Sequence, residues 1–140
     1  MPHANTTTPR HAVEPPVLSP AAHALLDYAV GGAFLLVGLH LLSRHRRAGA
    51  LALANGALIC GAAAMTDYPG GLWPRFSFKT HRTLDLMQAS LAGAGPYLLG
   101  FAHEPEASYF FEQAASEMAV IAATDWEGTE AVRPAGVPGG

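Results

Sequence analysis

The sequence predicts an all-α fold, a four-helix transmembrane bundle made of two tandem helical hairpins related by internal duplication. Three observations predict it. One pattern occurs twice in constant register: His23 to Gly70 returns as His81 to Gly128, an offset of 81 − 23 = 58. Each copy opens with His-x-x-x-Asp (His23 and Asp27; His81 and Asp85) and closes with Thr-Asp-aromatic (Thr66, Asp67, Tyr68; Thr124, Asp125, Trp126). Self-similarity kept without insertion or deletion is the mark of a repeated supersecondary unit. Each copy also holds two apolar runs, and charge is scarcest inside those runs. Hydrophobic residues make up 50% of the chain and charged residues 14%, against about 25% in ordinary soluble domains.

The chain divides into a tail, a helical domain and a second tail. Residues 1–20 carry Pro2, Pro9, Pro15, Pro16 and Pro20 with the run Thr6-Thr7-Thr8, and no apolar stretch that would make a signal peptide. They cannot bury enough apolar surface to order themselves. Residues 128–140, with Pro134, Pro138 and four glycines, read the same way. The domain between them, 21–127, holds the hairpin repeats 23–70 and 81–128.

The first run, Ala24–Leu42, carries one formal charge, Asp27, and ends at the basic group Arg44, Arg46, Arg47. The second, Ala48–Met65, is interrupted only by Asn55. Both approach the ~20 residues that a helix rising ~1.5 Å per residue needs to cross a ~30 Å hydrocarbon core. The short link between them makes an antiparallel hairpin. The segment 67–79 then mixes Tyr68, Trp73, Phe76 and Phe78 with Arg75 and Lys79, a composition suited to the headgroup region. The third run, Thr83–Phe101, contains Pro96, which predicts a kink near Ala92. The fourth, Tyr109–Ala123, is short and carries Glu112, Gln113 and Glu117. Small residues four apart, Ala57 with Gly61 and Ala89 with Gly93, allow close helix approach in lipid.

The third run, Leu84-Asp85 … Gly93 … Gly95-Pro96-Tyr97-Leu98-Leu99-Gly100-Phe101, resembles the SPW-repeat family of small bacterial integral membrane proteins. Gly95-Pro96-Tyr97 stands where that family carries Ser-Pro-Trp, and Val37-Gly38-Leu39 occupies the corresponding place in the first copy. The resemblance implies a multi-pass protein of the bacterial inner membrane with no catalytic residues to carry over.

Composition narrows the chemistry. A net charge of −3 leaves no footprint for nucleic acid, and Cys60, as the single cysteine, excludes an intrachain disulfide and reads as a buried free thiol. Basic residues number five on the side of the tails and the 67–82 segment (Arg10, Arg75, Lys79, Arg82, Arg133) and three on the other (Arg44, Arg46, Arg47), which favours both termini in the cytoplasm. Two hairpins of even span number keep one orientation, so the ends bearing the repeated motif share a membrane face. Six residues there form the expected polar cluster: His23, Asp27, Asp67, His81, Asp85 and Asp125. On a helix, i and i+4 share a side, so each His-Asp pair projects together. Such a cluster pins two hairpins together, holds a divalent metal such as Zn, Mn or Fe through His23, His81, Asp27 and Asp85, or relays protons. A copied packing clasp needs no chemistry to explain it, so no cofactor is expected, with a divalent metal as the alternative. Asn55, Gln113 and Glu117 are expected to face the bundle interior, because a polar group at lipid depth is costly. His40 has no partner at matching depth, where the second copy has Leu98, so no haem is expected.

The functional expectation is a non-enzymatic structural or accessory membrane subunit, with the lipid bilayer as its surroundings and a homo-oligomer or larger membrane complex as its setting. The alternative is a membrane enzyme or a proton- or small-ligand-handling protein using the His/Asp cluster.

Overall fold

A serine caps the start of each hairpin. In the computed structural model, which describes residues 17–128, the Ser19 hydroxyl accepts from the Ala22 N–H and the Ser77 hydroxyl from the Thr80 N–H. These caps satisfy donors that the first helical turn leaves free. Helix α1 (Pro20–Leu42) follows the first cap and α3 (Phe78–Leu98) the second. Helices α2 (Arg46–Met65) and α4 (Ala107–Ala123) complete the hairpins, and two short strands, β1 (Thr66–Asp67) and β2 (Phe76–Ser77), link α2 to α3. The fold is all-α apart from these strands. Most of both expected tails lies outside the described residues, but Val17 and Leu18 already donate to Ala123 O.

The two hairpins join in a closed ring. Where α2 ends, β1 pairs in parallel with β2 just before α3, with Thr66 opposite Phe76. Where α4 ends, Thr124 pairs in parallel with Leu18 just before α1. The offset of 58 relates the two junctions crosswise: Arg75 N–H donates to Met65 O as Val17 N–H donates to Ala123 O, with Arg75 corresponding to Val17 and Ala123 to Met65. Each hairpin's exit is thus stitched to the other's beginning, and both junctions lie at one end of the bundle.

Helices α1 and α2 make the most extensive contact, and glycine sets their distance. A Cβ on Gly56 would stand 2.8 Å from Gly31 O, and one on Gly49 would stand 2.6 Å from Leu42 N. Backbone-to-backbone approach of this kind is what small residues permit. Beyond α1–α2, Phe34, Phe101 and Phe110 fill the core toward the hairpin loops, while Ala24, Ala63, Tyr68 and Phe78 fill the end that carries the junctions. Cys60 is half-buried rather than buried, packed where Gly31 leaves room. Pro96 falls in the last turn of α3, near Gly100, whose φ of +71° ends the run.

Among the described residues, α1 and α2 are long and apolar enough to cross a bilayer by length and composition. Helix α3 opens with Lys79 and Arg82 and α4 is 17 residues long, and neither meets that measure.

Candidate metal centre

The first turns of α1 and α3 and the last turns of α2 and α4 converge at the junction end. There the repeated motif folds into one buried cluster. His23 and His81 are fully buried, and Asp27 and Asp85 are nearly so. His23 Nε2 lies 3.4 Å from Asp27 Oδ1 on its own helix and 3.2 Å from Asp85 Oδ2 on the other. His81 Nε2 repeats this, 3.1 Å from Asp85 Oδ1 and 3.0 Å from Asp27 Oδ2. Each carboxylate therefore turns one oxygen to each imidazole. The ligand atoms of His23, Asp27 and His81 all lie within 4.8 Å of one another.

The far nitrogens fix the tautomer of both rings. His81 Nδ1 is 2.7 Å from Thr66 Oγ1, and His23 Nδ1 is 2.9 Å from Thr124 Oγ1. Each threonine hydroxyl also donates to the carbonyl four residues earlier, Thr66 to Ala62 O and Thr124 to Val120 O, both at 2.7 Å. A carbonyl cannot donate and a hydroxyl has one proton, so that proton is committed to the helix. The imidazole must then supply the hydrogen, as Nδ1–H to Oγ1. In a neutral ring this leaves Nε2 as a lone pair facing two carboxylate oxygens. Such a set is stable only with positive charge at its centre, which a proton on each ring or one divalent cation supplies. His81 Nε2 makes no hydrogen bond, whereas His23 Nε2 lies within hydrogen-bond distance of Asp85 Oδ2.

Aromatic side chains close the cluster off. His23 meets the Trp126 and Phe78 rings edge to face at 5.0 and 5.6 Å, and Tyr68 lies 5.2 Å from His81. The Tyr68 hydroxyl donates to Asp27 Oδ2 at 2.6 Å. Burial first, and then the neighbouring Asp27 carboxylate, hold that phenol well above its ordinary titration range. At the equivalent position Trp126 instead donates Nε1–H to Ile121 O.

Of the six residues expected in the cluster, four meet. Asp67 is exposed, and Asp125 accepts from the Glu127 N–H in a turn. The reason is the backbone: Thr66 and Thr124 leave the helix in extended conformation. Side chains alternate along an extended chain, so Thr66 and Tyr68 turn inward and Asp67 outward.

Of the three residues expected to face the bundle interior, Asn55 and Glu117 are buried and Gln113 is half-buried. Asn55 is fully buried and donates to Leu51 O; Gln113 donates to Glu117, which is 8% exposed. Gln88, not singled out in the sequence, is a buried partner here and donates to Asn55 Oδ1 at 2.9 Å. Its signal was available: His81, Asp85, Gln88 and Ala92 follow the i, i+4, i+7, i+11 stripe of one helix face.

A second polar group at the opposite end behaves differently. His45 Nδ1 accepts the Ala48 N–H, capping α2. Its Nε2 therefore carries a proton and donates to Glu104, which also receives Arg47, and Arg47 further binds Leu99 O and Gly100 O. The His45 bond first, and the charge of Arg47 after it, hold the Glu104 carboxyl below the usual carboxylate range. Glu106 also lies close. This cluster is a saturated clasp between hairpin loops, with no lone pair left over. His40 is exposed beside Arg44.

No protein-family model, curated protein or solved structure matches the chain.

Proposed function

We propose that the chain is a multi-pass membrane protein in which two copies of one hairpin clasp a single divalent transition-metal ion between His23, Asp27, His81 and Asp85. The observation that carries this reading is the buried, unbonded Nε2 of His81, aimed with His23 Nε2 at two carboxylates. Two neutral imidazoles and two carboxylates sum to −2, which one divalent ion balances. The four His–Asp contacts of 3.0–3.4 Å approach the edge of a tetrahedron built on ~2.1 Å bonds, about 3.4 Å, with His23, Asp27 and His81 as its most compact three ligands. The Nδ1–H to threonine bonds are the outer-shell contacts that orient metal-bound imidazoles.

Nitrogen and oxygen donors in equal number suit Zn, Mn or Fe. Four protein ligands fill the coordination of a tetrahedral ion, the arrangement of a structural rather than a hydrolytic ion. The role is accordingly an accessory one: the ion locks the hairpins at one membrane face. The apolar span of α1 and α2, and the exposed Leu36, Leu39, Leu58 and Leu98, support the membrane setting.

Thermal unfolding in detergent tests the reading. Chelation should lower the midpoint and Zn, Mn or Fe should restore it, the bound ion adding about 2.7 kcal/mol of stability at a hundredfold excess over Kd. His81→Gln should respond to neither. A wild-type midpoint indifferent to chelator and to all three metals overturns the proposal.

A further inference from the structure

Helices α2 and α3 touch far less than α1 and α2. Between them lies a groove of about 610 Å³, within the ~300–1,000 Å³ of small-molecule sites. Its walls are apolar, built from residues such as Leu58, Met65, Leu84 and Met87, with Asp85 and Gln88 as its two hydrogen-bonding side chains. On the α2 side it runs from Ala57 to Met65, about 12 Å at the helical rise. Ala57, Gly61 and Ala62 make the space, and a Cβ on Gly61 would meet nothing within 4 Å.

The polar wall specifies what fits. Gln88 is 7% exposed and its amide is oriented by donation of Nε2 to Asn55 Oδ1, whose own Nδ2 is committed to Leu51 O. That orders the relay in one direction and leaves Gln88 Oε1 as a buried acceptor without a partner. A buried unsatisfied acceptor is costly. Asp85, the neighbouring polar group one turn away, is also an acceptor. Asp85 already turns both of its oxygens to the imidazoles, so Gln88 Oε1 is the groove acceptor that seeks a donor, and the rest seeks hydrocarbon. A hydroxyl meets that demand without adding a charge to the groove.

We infer that the α2–α3 groove binds a hydroxyl-bearing lipophilic molecule, an apolar chain whose O–H donates to Gln88 Oε1 beside Asp85. The site is one-sided. At the position equivalent to Gln88, the first copy has Val30, so the second hairpin alone supplies the acceptor. The inference rests on the membrane reading for the ligand's route into the groove and does not depend on the metal.

Radiolabelled farnesol binding to the full chain in detergent micelles tests it, with farnesyl methyl ether as a competitor of the same shape that lacks the donor. Farnesol should bind saturably, and the ether should compete about fivefold more weakly, the effect of one missing hydrogen bond. Gly61→Phe, which places a ring in open space away from the polar relay, should abolish farnesol binding and leave metal content unchanged. Equal competition by farnesol and its ether, or undiminished binding to Gly61→Phe, overturns the inference and marks the groove as a resting place for any lipid chain. Farnesol binding retained in a protein that takes up no metal would refute the metal centre alone. Metal retained without farnesol preference would refute the groove alone.

Discussion

His23 and His81 meet edge to face with ring centroids 5.4 Å apart, although 58 positions separate them in the chain. The contact follows from the cross-stitched junctions. By pairing each hairpin's exit with the other's beginning, the chain brings the first turns of α1 and α3 together and turns their buried faces toward one point. Packing has thereby gathered two imidazoles and two carboxylates in a largely buried place, an arrangement that is stable only with compensating charge.

The threonines behind the imidazoles should matter equally. Thr66→Val and Thr124→Val each keep the shape and strand the Nδ1–H of one ring. Each should cost about 1–3 kcal/mol of stability and weaken metal binding by roughly 10- to 100-fold. Chelator competition on the purified variants measures the second effect, and near-identical losses at the two positions are expected from the paired geometry.

The tyrosine, in contrast, acts on one half only. Tyr68→Phe removes a hydrogen bond to Asp27 that has no counterpart at Trp126. A bond from a neutral donor to a buried carboxylate is worth about 1.5–3 kcal/mol, so chemical denaturation should show a loss of that order. Trp126→Phe removes a bond to a backbone carbonyl and should cost less in hydrogen bonding.

Glycine substitutions should divide by position along the α1–α2 contact. Gly56→Ala drives a methyl against Gly31 O and should destabilise by about 1–3 kcal/mol. Gly32→Ala meets nothing within 4 Å and should be neutral or stabilising by up to about 1 kcal/mol. Unfolding in mild detergent distinguishes the two.

The loop clasp should be acid-sensitive. Glu104 titrates below its ordinary range in the folded chain, so its contribution to stability is present above the unfolded carboxylate pKa of about 4.3. It is lost as pH falls through the folded value. The stability difference between wild type and Glu104→Gln should therefore be largest near neutrality and shrink in acid. A difference that stays constant down to acid pH would contradict the assignment.

The bilayer setting has a direct biochemical consequence. On the proposed membrane reading α1 and α2 cross the bilayer, and alkaline carbonate should then leave the chain in the membrane pellet. Release into the supernatant would place the helices on the surface instead.

Much of this arrangement was legible in the sequence, for identifiable reasons. The constant offset fixed the pairing of hairpins, and His-x-x-x-Asp spacing fixed which side chains share a helix face. Asp67 and Asp125 share the expected face but miss the cluster, because the helices end at Met65 and Ala123 and the extended backbone that follows turns alternate residues to opposite sides. The Tyr68–Asp27 bond, the Gln88–Asn55 pair and the His45–Glu104–Arg47 clasp were not legible. Each joins elements whose distance along the chain says nothing of their distance in space.

The central claim is that four side chains from two hairpins share one ion, and elemental analysis of the purified protein tests it most directly. Wild type dialysed against Zn, Mn or Fe should retain about one ion per chain, in keeping with a single four-ligand site, and the double change His23→Gln with His81→Gln should retain none. A wild-type protein that is folded and free of all three metals after dialysis would contradict the account, leaving the quartet as a proton-balanced ion-pair clasp.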